Sequence, residues 1–305
     1  MNHRKLRSIA AVTSLALVVG AAGFAVVGDD TFTVVPHWPQ LPEGYKLGQV
    51  SAVAPDGHGE VFLFHRGEHP ILVFNREGKF LRSFGDGLIN KAHGLRFDAK
   101  GNAWITDVGN HTVRKFSHDG KLLLTLGQEG KPGETPDQFN MPADIAFGPH
   151  GELFVADGYG NSRVVKFSSE GKFIKAWGKK GTGDGEFDTV HAVVVDADGT
   201  VFVGDRENNR IQIFDADGNF KGKWTECGAP FGLFLDAHHH RFLVADGRAH
   251  QCLVLDPHGK VLETWGSQGP GPGQFDLPHS VSMDTDGAVY VTEITGQRAQ
   301  KFVRR

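Results

Sequence analysis

The chain has 305 residues, 41 of them glycine and 23 phenylalanine, against 2 cysteines, 3 methionines and 3 tyrosines. Its 32 basic and 36 acidic side chains give a formal net charge of −4 with no block of like charge, which excludes the basic footprint of a nucleic-acid binder. This composition also excludes a helical bundle and predicts many short apolar strands joined by tight turns.

The first segment stands apart. Arg4, Lys5 and Arg7 precede an uncharged run from Ile9 to Gly28, after which Asp29 and Asp30 restore polarity. With the small residues Gly23 and Ala25 late in the run, the pattern is that of a secretory signal. A run of about 20 residues is also long enough for an uncleaved membrane anchor. Residues 1–28 are therefore read as a signal peptide or an N-terminal anchor, attached through residues 9–28. Basic residues ahead of the run keep the N-terminus in the cytoplasm, so in either case residues 31–305 are expected to be exported. Cys227 and Cys252 then lie in a compartment where a disulfide can persist, and two cysteines do not prove one.

From Ser51 onward the chain repeats itself. The stretch Val190 to Glu226 is expected to form four strands, His191–Val195, Val201–Gly204, Ile211–Phe214 and Phe220–Trp224. Its hairpin turns are at Asp196–Gly199 and Asp215–Gly218. Related copies begin at Ser51, His93, Ala143, Phe231 and His279. Six four-stranded units of about 40–50 residues predict an all-β, six-bladed β-propeller over residues 31–305. The last unit stops after its third strand, Lys301–Val303, while Thr31–Val35 is a strand left over at the other end. That N-terminal strand is expected to complete the last blade and cover its open edge. The Asp-rich turns and the patterns Asn110–Arg114, Asn161–Arg163 and Asn208–Arg210 resemble NHL repeats and are read as structure.

At the first residue of the innermost strand the six units carry Ser51, His93, Ala143, His191, Phe231 and His279. Alternate blades of a six-bladed ring are a third of a turn apart, so the three histidines converge on the channel axis. Three imidazoles with a fourth position open form the ligand set of a catalytic zinc. Zn2+ is expected over other imidazole-tolerant metals because no redox ligand is evident. The plainer alternative is three histidines hydrogen-bonded in a polar channel. The start of strand one and the end of strand two lie on one face of the disc, so the turns after strand two overhang these histidines. Arg66 and Arg206 share one position in those turns, and Tyr159 sits one residue later. Two guanidiniums and a phenol suit a small carboxylate-bearing substrate; surface arginines paired with nearby acids are the alternative. His65, His111, the His238–His240 run and His258 lack the alternation and are read as solvated or structural.

More specific runs are FHRGEH (Phe64–His69), AHGLRFDAKGNAWITDV (Ala92–Val108), FVADGYGNSRVVKFSSEGKFIKAWG (Phe154–Gly178), GDRENNRIQIF (Gly204–Phe214) and FDLPHSVSMDTDGAVY (Phe275–Tyr290). In order, they resemble the peptidyl-α-hydroxyglycine α-amidating lyase family. The resemblance implies zinc on His93, His191 and His279, a catalytic tyrosine at Tyr159 and functional arginines at Arg66 and Arg206. It implies a lyase that cleaves the C–N bond of a peptidyl or N-acyl-α-hydroxyglycine to an amide and glyoxylate, and a monomer is expected. The family's disulfide positions hold Asn140 and Gly160 in one pair and Phe202 and Ile213 in the other, so neither bridge is present. The family's structural Ca2+ is held in part by an acid directly after the third histidine. Ser280 stands there, which counts against calcium, although carbonyls such as that of Leu95 remain available. Two alternatives stay open at this point. One is an exported NHL-propeller scaffold or binding module, and the other a metal-dependent propeller hydrolase of lactones or phosphoesters.

Overall fold

The computed structural model describes residues 32–305, so the signal or anchor expected at residues 1–28 lies outside the described residues. The described residues form 24 strands in six four-stranded antiparallel sheets, the six blades. After β1 (Phe32–Val34), blade 1 is β2 (Gln49–Pro55), β3 (Glu60–Arg66), β4 (Ile71–Asn75) and β5 (Phe80–Phe84). Blade 2 is β6 (Ala92–Phe97), β7 (Ala103–Asp107), β8 (Thr112–Phe116) and β9 (Leu122–Leu126). Blade 3 is β10 (Asp144–Phe147), β11 (Leu153–Asp157), β12 (Arg163–Phe167) and β13 (Phe173–Trp177). Blade 4 is β14 (Val190–Val195), β15 (Val201–Asp205), β16 (Arg210–Phe214) and β17 (Phe220–Trp224). Blade 5 is β18 (Pro230–Asp236), β19 (Arg241–Asp246), β20 (Gln251–Leu255) and β21 (Val261–Trp265). Blade 6 is β22 (Pro278–Met283), β23 (Val289–Glu293) and β24 (Arg298–Arg304), with β1 as its outermost strand.

The expected closure is therefore the observed one. β1 runs antiparallel to β24, pairing Phe32 with Arg304, Thr33 with Val303 and Val34 with Phe302. Phe32 packs against Trp265 of blade 5 in a tilted arrangement at 4.5 Å between ring centroids, so the closing strand is also fastened to the neighbouring blade.

The alternation of side chains along each strand sends successive residues to opposite neighbours. In β7, Ala103 and Ile105 face blade 1, while Trp104 faces blade 3. In β14, Val193 packs on blade 3, whereas Ala192 and Val194 pack on blade 5. Six apolar clusters result, one between each neighbouring pair of blades. Middle strands are buried on both faces and so read as continuous apolar runs. Each large side chain there, such as the fully buried Phe62 or Phe154, contributes about 1.5–3 kcal/mol. The innermost strands pack β2 to β6, β10, β14, β18, β22 and back to β2, enclosing the channel that carries the site.

Candidate active site and metal centre

The three histidines sit on β-bulges. In blade 4, Val190 faces Asp205 and Ala192 faces Gly204, so His191 has no partner of its own. The same slip falls at His93 and at His279. A bulge leaves one residue unpaired and re-aims its side chain, here toward the axis. The imidazole centroids form a nearly equilateral triangle: His93–His279 4.7 Å, His93–His191 4.8 Å and His191–His279 4.9 Å. In these three blades the incoming loop is pinned by the acid that ends the second strand. The backbone N–H groups of Asn90, Asp188 and Asp276, each three residues before a histidine, donate to Asp107, Asp205 and Glu293 at 2.7–2.8 Å.

Each imidazole donates Nδ1–H to a carbonyl of the next blade: His93 to Ala143 at 2.7 Å, His191 to Phe231 at 2.6 Å and His279 to Ser51 at 2.7 Å. These carbonyls belong to the three repeat positions that lack histidine. Gly94 allows the approach, since a Cβ there would meet the Ala143 oxygen at 2.7 Å. Fixing the proton on Nδ1 leaves Nε2 as a lone-pair donor. Burial, with the charges of Arg66, Arg206 and the other imidazoles, holds His93 and His191 well below the usual histidine range. Burial above all takes His279 down to about 3. All three are neutral at neutral pH, as metal ligands must be. The Tyr159 hydroxyl lies 3.0 Å from His93 Nε2 and 2.9 Å from His191 Nε2, yet one hydroxyl proton cannot serve three converging lone pairs. A cation fits this donor set, and the three histidines form a group that could hold a metal.

Tyr159, Arg66 and Arg206 surround this triangle as expected. Tyr159 follows β11, where Gly158 lets the turn press on β14: a Cβ there would meet the Val190 oxygen at 1.9 Å. Arg206 Nη1 donates to the Tyr159 hydroxyl at 3.0 Å and Nε to Glu207 at 2.8 Å. Its guanidinium lies 5.1 Å from the Tyr159 ring centroid and 4.7 Å from that of Phe231. Arg66 Nε donates to the carbonyl of Ala92, the residue before His93, at 3.0 Å, and Nη1 to Gln49 at 2.8 Å. Burial pulls the Arg66 guanidinium below its usual range, and a desolvated guanidinium favours an anionic ligand. Among the described residues, Nη2 of neither arginine makes a hydrogen bond, leaving one donor group on each for a substrate.

The repeat arginines and asparagines are structural. Arg163 and Asn161 bind Asp157 at 2.9 and 2.7 Å, and Arg210 and Asn208 bind Asp205 at 2.7 and 2.9 Å. His65 and His111 also hold loops, accepting at Nδ1 from the N–H of Gly48 and of Met141. Cys227 and Cys252 are free and buried rather than paired. The positions of the family's bridges are adjacent even so: Phe202 pairs with Ile213 across β15 and β16, and Gly160 N donates to Asn140 O at 2.9 Å. A second group able to hold a metal, Asp56, Glu60 and His118, already contains a cation, because Arg82 Nη2 lies 2.7 Å from Glu60.

Sequence reading missed Phe231, whose ring carries Arg206 and whose carbonyl holds His191, and the pair Arg96 and Asp144 in the channel. That pair bears on calcium. Ca2+ needs several oxygen ligands with net negative charge. Ser280 offers a hydroxyl 3.5 Å from Val53 N, and Asp144 is bound by Arg96 at 2.8 Å. The channel residues do not fit the calcium that the family resemblance implies.

Fold and site together define an NHL-repeat propeller with a three-histidine centre, and the NHL repeat family model matches residues 90–116, 139–167 and 187–214. The chain is 34% identical over 290 residues to a probable peptidyl-alpha-hydroxyglycine alpha-amidating lyase of Caenorhabditis elegans, covering 83% of this chain and 82% of that one. It is 35% identical to NHL repeat-containing protein 3 of Homo sapiens, covering 87% of this chain and 82% of that protein. It is 33% identical to peptidyl-glycine alpha-amidating monooxygenase A of Xenopus laevis over 87% of this chain. The chain spans about a third of that protein's length, 32%. A gluconolactonase from Xanthomonas campestris superposes with a TM-score of 0.67 at 15% identity, covering 94% of this chain and 99% of that one, a likeness of fold alone. The chain belongs to the peptidyl-α-hydroxyglycine α-amidating lyase family.

Proposed function

We propose that this protein is a zinc-dependent lyase that cleaves the C–N bond of an N-acyl- or peptidyl-α-hydroxyglycine, giving an amide and glyoxylate. The observation that carries the reading is the Tyr159 hydroxyl, shared among His93 Nε2, His191 Nε2 and Arg206 Nη1 at 2.9–3.0 Å. His93, His191 and His279 would hold the zinc through Nε2. Bound there, it supplies Lewis acidity to the substrate's α-hydroxyl.

The chain's own groups account for the rest. Tyr159 is placed to take the proton from the α-hydroxyl, and the electrons left on oxygen form the aldehyde carbonyl as the C–N bond breaks. The departing amide nitrogen takes up one proton, so a single substrate gives the two products without an added reactant. Arg66 Nη2 and Arg206 Nη2 face an incoming carboxylate and fix its orientation. Because Arg206 also holds the phenol, it takes part in both binding and the proton transfer.

The lyase named in Caenorhabditis elegans and the monooxygenase named in Xenopus laevis support an amidating activity and a small peptide substrate. The similarity to NHL repeat-containing protein 3, whose name states no reaction, favours a binding module as the second reading. Export, through a cleaved signal or an anchor in residues 9–28, belongs to the same proposal. Incubation of the purified domain with α-hydroxyhippurate separates the readings: a lyase releases glyoxylate and stops on chelation of its metal, and a binding module releases none.

A further inference from the structure

Directly below the histidines the channel is crossed by a charged spoke. Arg96, three residues after His93 in blade 2, sends Nη2 to Asp144 of blade 3 at 2.8 Å and to the carbonyl of Leu233 in blade 5 at 2.9 Å. Blades 2 and 5 are opposite each other in the ring, so this side chain spans the channel. Asp144 Oδ2 also accepts from Val193 N of blade 4 at 3.2 Å. The spoke thus ties four consecutive blades. It does so one or two residues from the carbonyls of Ala143 and Phe231, which hold the imidazoles of His93 and His191.

The spoke also divides the channel. On the histidine side a cavity of about 20 Å³ remains, room for about one water, lined by His93, His191, His279, Arg96 and Asp144. On the other side a wider apolar cavity of about 330 Å³ opens, lined by Arg96 with Phe97, Val195, Phe234 and Leu235. A buried carboxylate needs a cation beside it. Here that cation is covalent, and the acid that a calcium would need is replaced by Ser280.

We infer that Arg96 is a built-in cation of the channel: with Asp144 it takes the place of a structural calcium and positions the inner strands that present the histidines. It is a positioning residue, acting through Asp144 and the carbonyls of Ala143 and Phe231. The inference rests on the three histidines holding a metal, but its test reads metal binding and not turnover, so it fails separately from the lyase reading.

The experiment measures zinc affinity of the full domain by competition with a chromophoric chelator, with and without millimolar calcium. Wild-type protein is expected to show no calcium response in zinc affinity or melting temperature. Arg96→Ala is expected to weaken zinc by about 10–100-fold, the usual cost of removing a group that orients a metal ligand. Arg96→Lys, which keeps a cation against Asp144, is the folded control and is expected to retain most of the affinity. Arg96→Ala combined with Ser280→Asp is expected to recover zinc affinity only when calcium is present. A calcium response in the wild type would overturn the inference. So would unchanged zinc affinity in Arg96→Ala, or a loss in Arg96→Lys as large as in Arg96→Ala.

Discussion

His93 Nδ1 lies 2.7 Å from the carbonyl oxygen of Ala143, the residue at the same repeat position one blade further round the ring. The relation recurs from His191 to Phe231 and from His279 to Ser51. A six-fold repeat has become a three-fold site, in which alternate blades give an imidazole and the blades between give the carbonyl that fixes its tautomer.

The metal content of single variants tests this arrangement. Purified protein is expected to carry zinc near one equivalent, and His93→Ala, His191→Ala and His279→Ala each to lose it under conditions where the parent retains it. Elemental analysis after gel filtration reads the difference. Full zinc content in any one of the three would show that the histidine concerned is not a ligand.

Arg206 touches the phenol as well as the proposed carboxylate position, so its removal should act on two constants. Arg206→Ala is expected to lower kcat by about tenfold or more, the worth of roughly 1.4 kcal/mol in the transition state, and to raise KM as well. Steady-state rates on α-hydroxyhippurate give both numbers. A change confined to KM would mean that the contact to Tyr159 has no part in the chemical step.

Closure by β1 predicts a stability effect. Deleting residues 31–35 removes three ladder pairs and the Phe32 ring packed against Trp265. Compared with removal of residues 1–25 alone, the melting temperature should fall on the order of 10 °C, from the loss of a packed aromatic and the exposure of β24 as an edge. Equal melting temperatures would show that the ring is held shut without this strand.

The fold was legible because the repeat is written in turns and apolar runs, which fix blade number directly. The triad was legible because one aligned position, read around a ring, turns sequence alternation into spatial convergence. The turn positions placed Tyr159, Arg66 and Arg206 on the histidine face of the disc, but a role for them followed only from the family resemblance. What holds the histidines was not. The carbonyls of Ala143, Phe231 and Ser51 have no side-chain signature, and the bulges appear only as a one-residue slip in pairing. The Arg96 spoke depends on Leu233, 137 residues away, on the far side of the channel.

Acid tests the hairpin chemistry of the repeat. Asp98 accepts from the backbone of Lys100 and Asn102 and from the Trp104 indole, each at 2.9 Å. Burial raises its carboxyl, but these hydrogen bonds and Lys115 outweigh it, bringing it from 3.8 down to about 2. A lowered carboxyl stabilises the fold fully above the unfolded value and loses that contribution as pH falls from 3.8 toward about 2. The stability gap between parent and Asp98→Asn should therefore narrow over that window. A gap that stays constant would remove Asp98 from the acid response.

The most direct test of the lyase assignment is turnover of α-hydroxyhippurate by zinc-loaded parent and Tyr159→Phe protein, with benzamide and glyoxylate quantified together. The parent is expected to release the two in equal amounts. The variant is expected to retain zinc while kcat falls by about 10²–10⁴-fold, the usual worth of a positioned acid–base group. Parental turnover by Tyr159→Phe, or no product from zinc-loaded parent, would contradict the account.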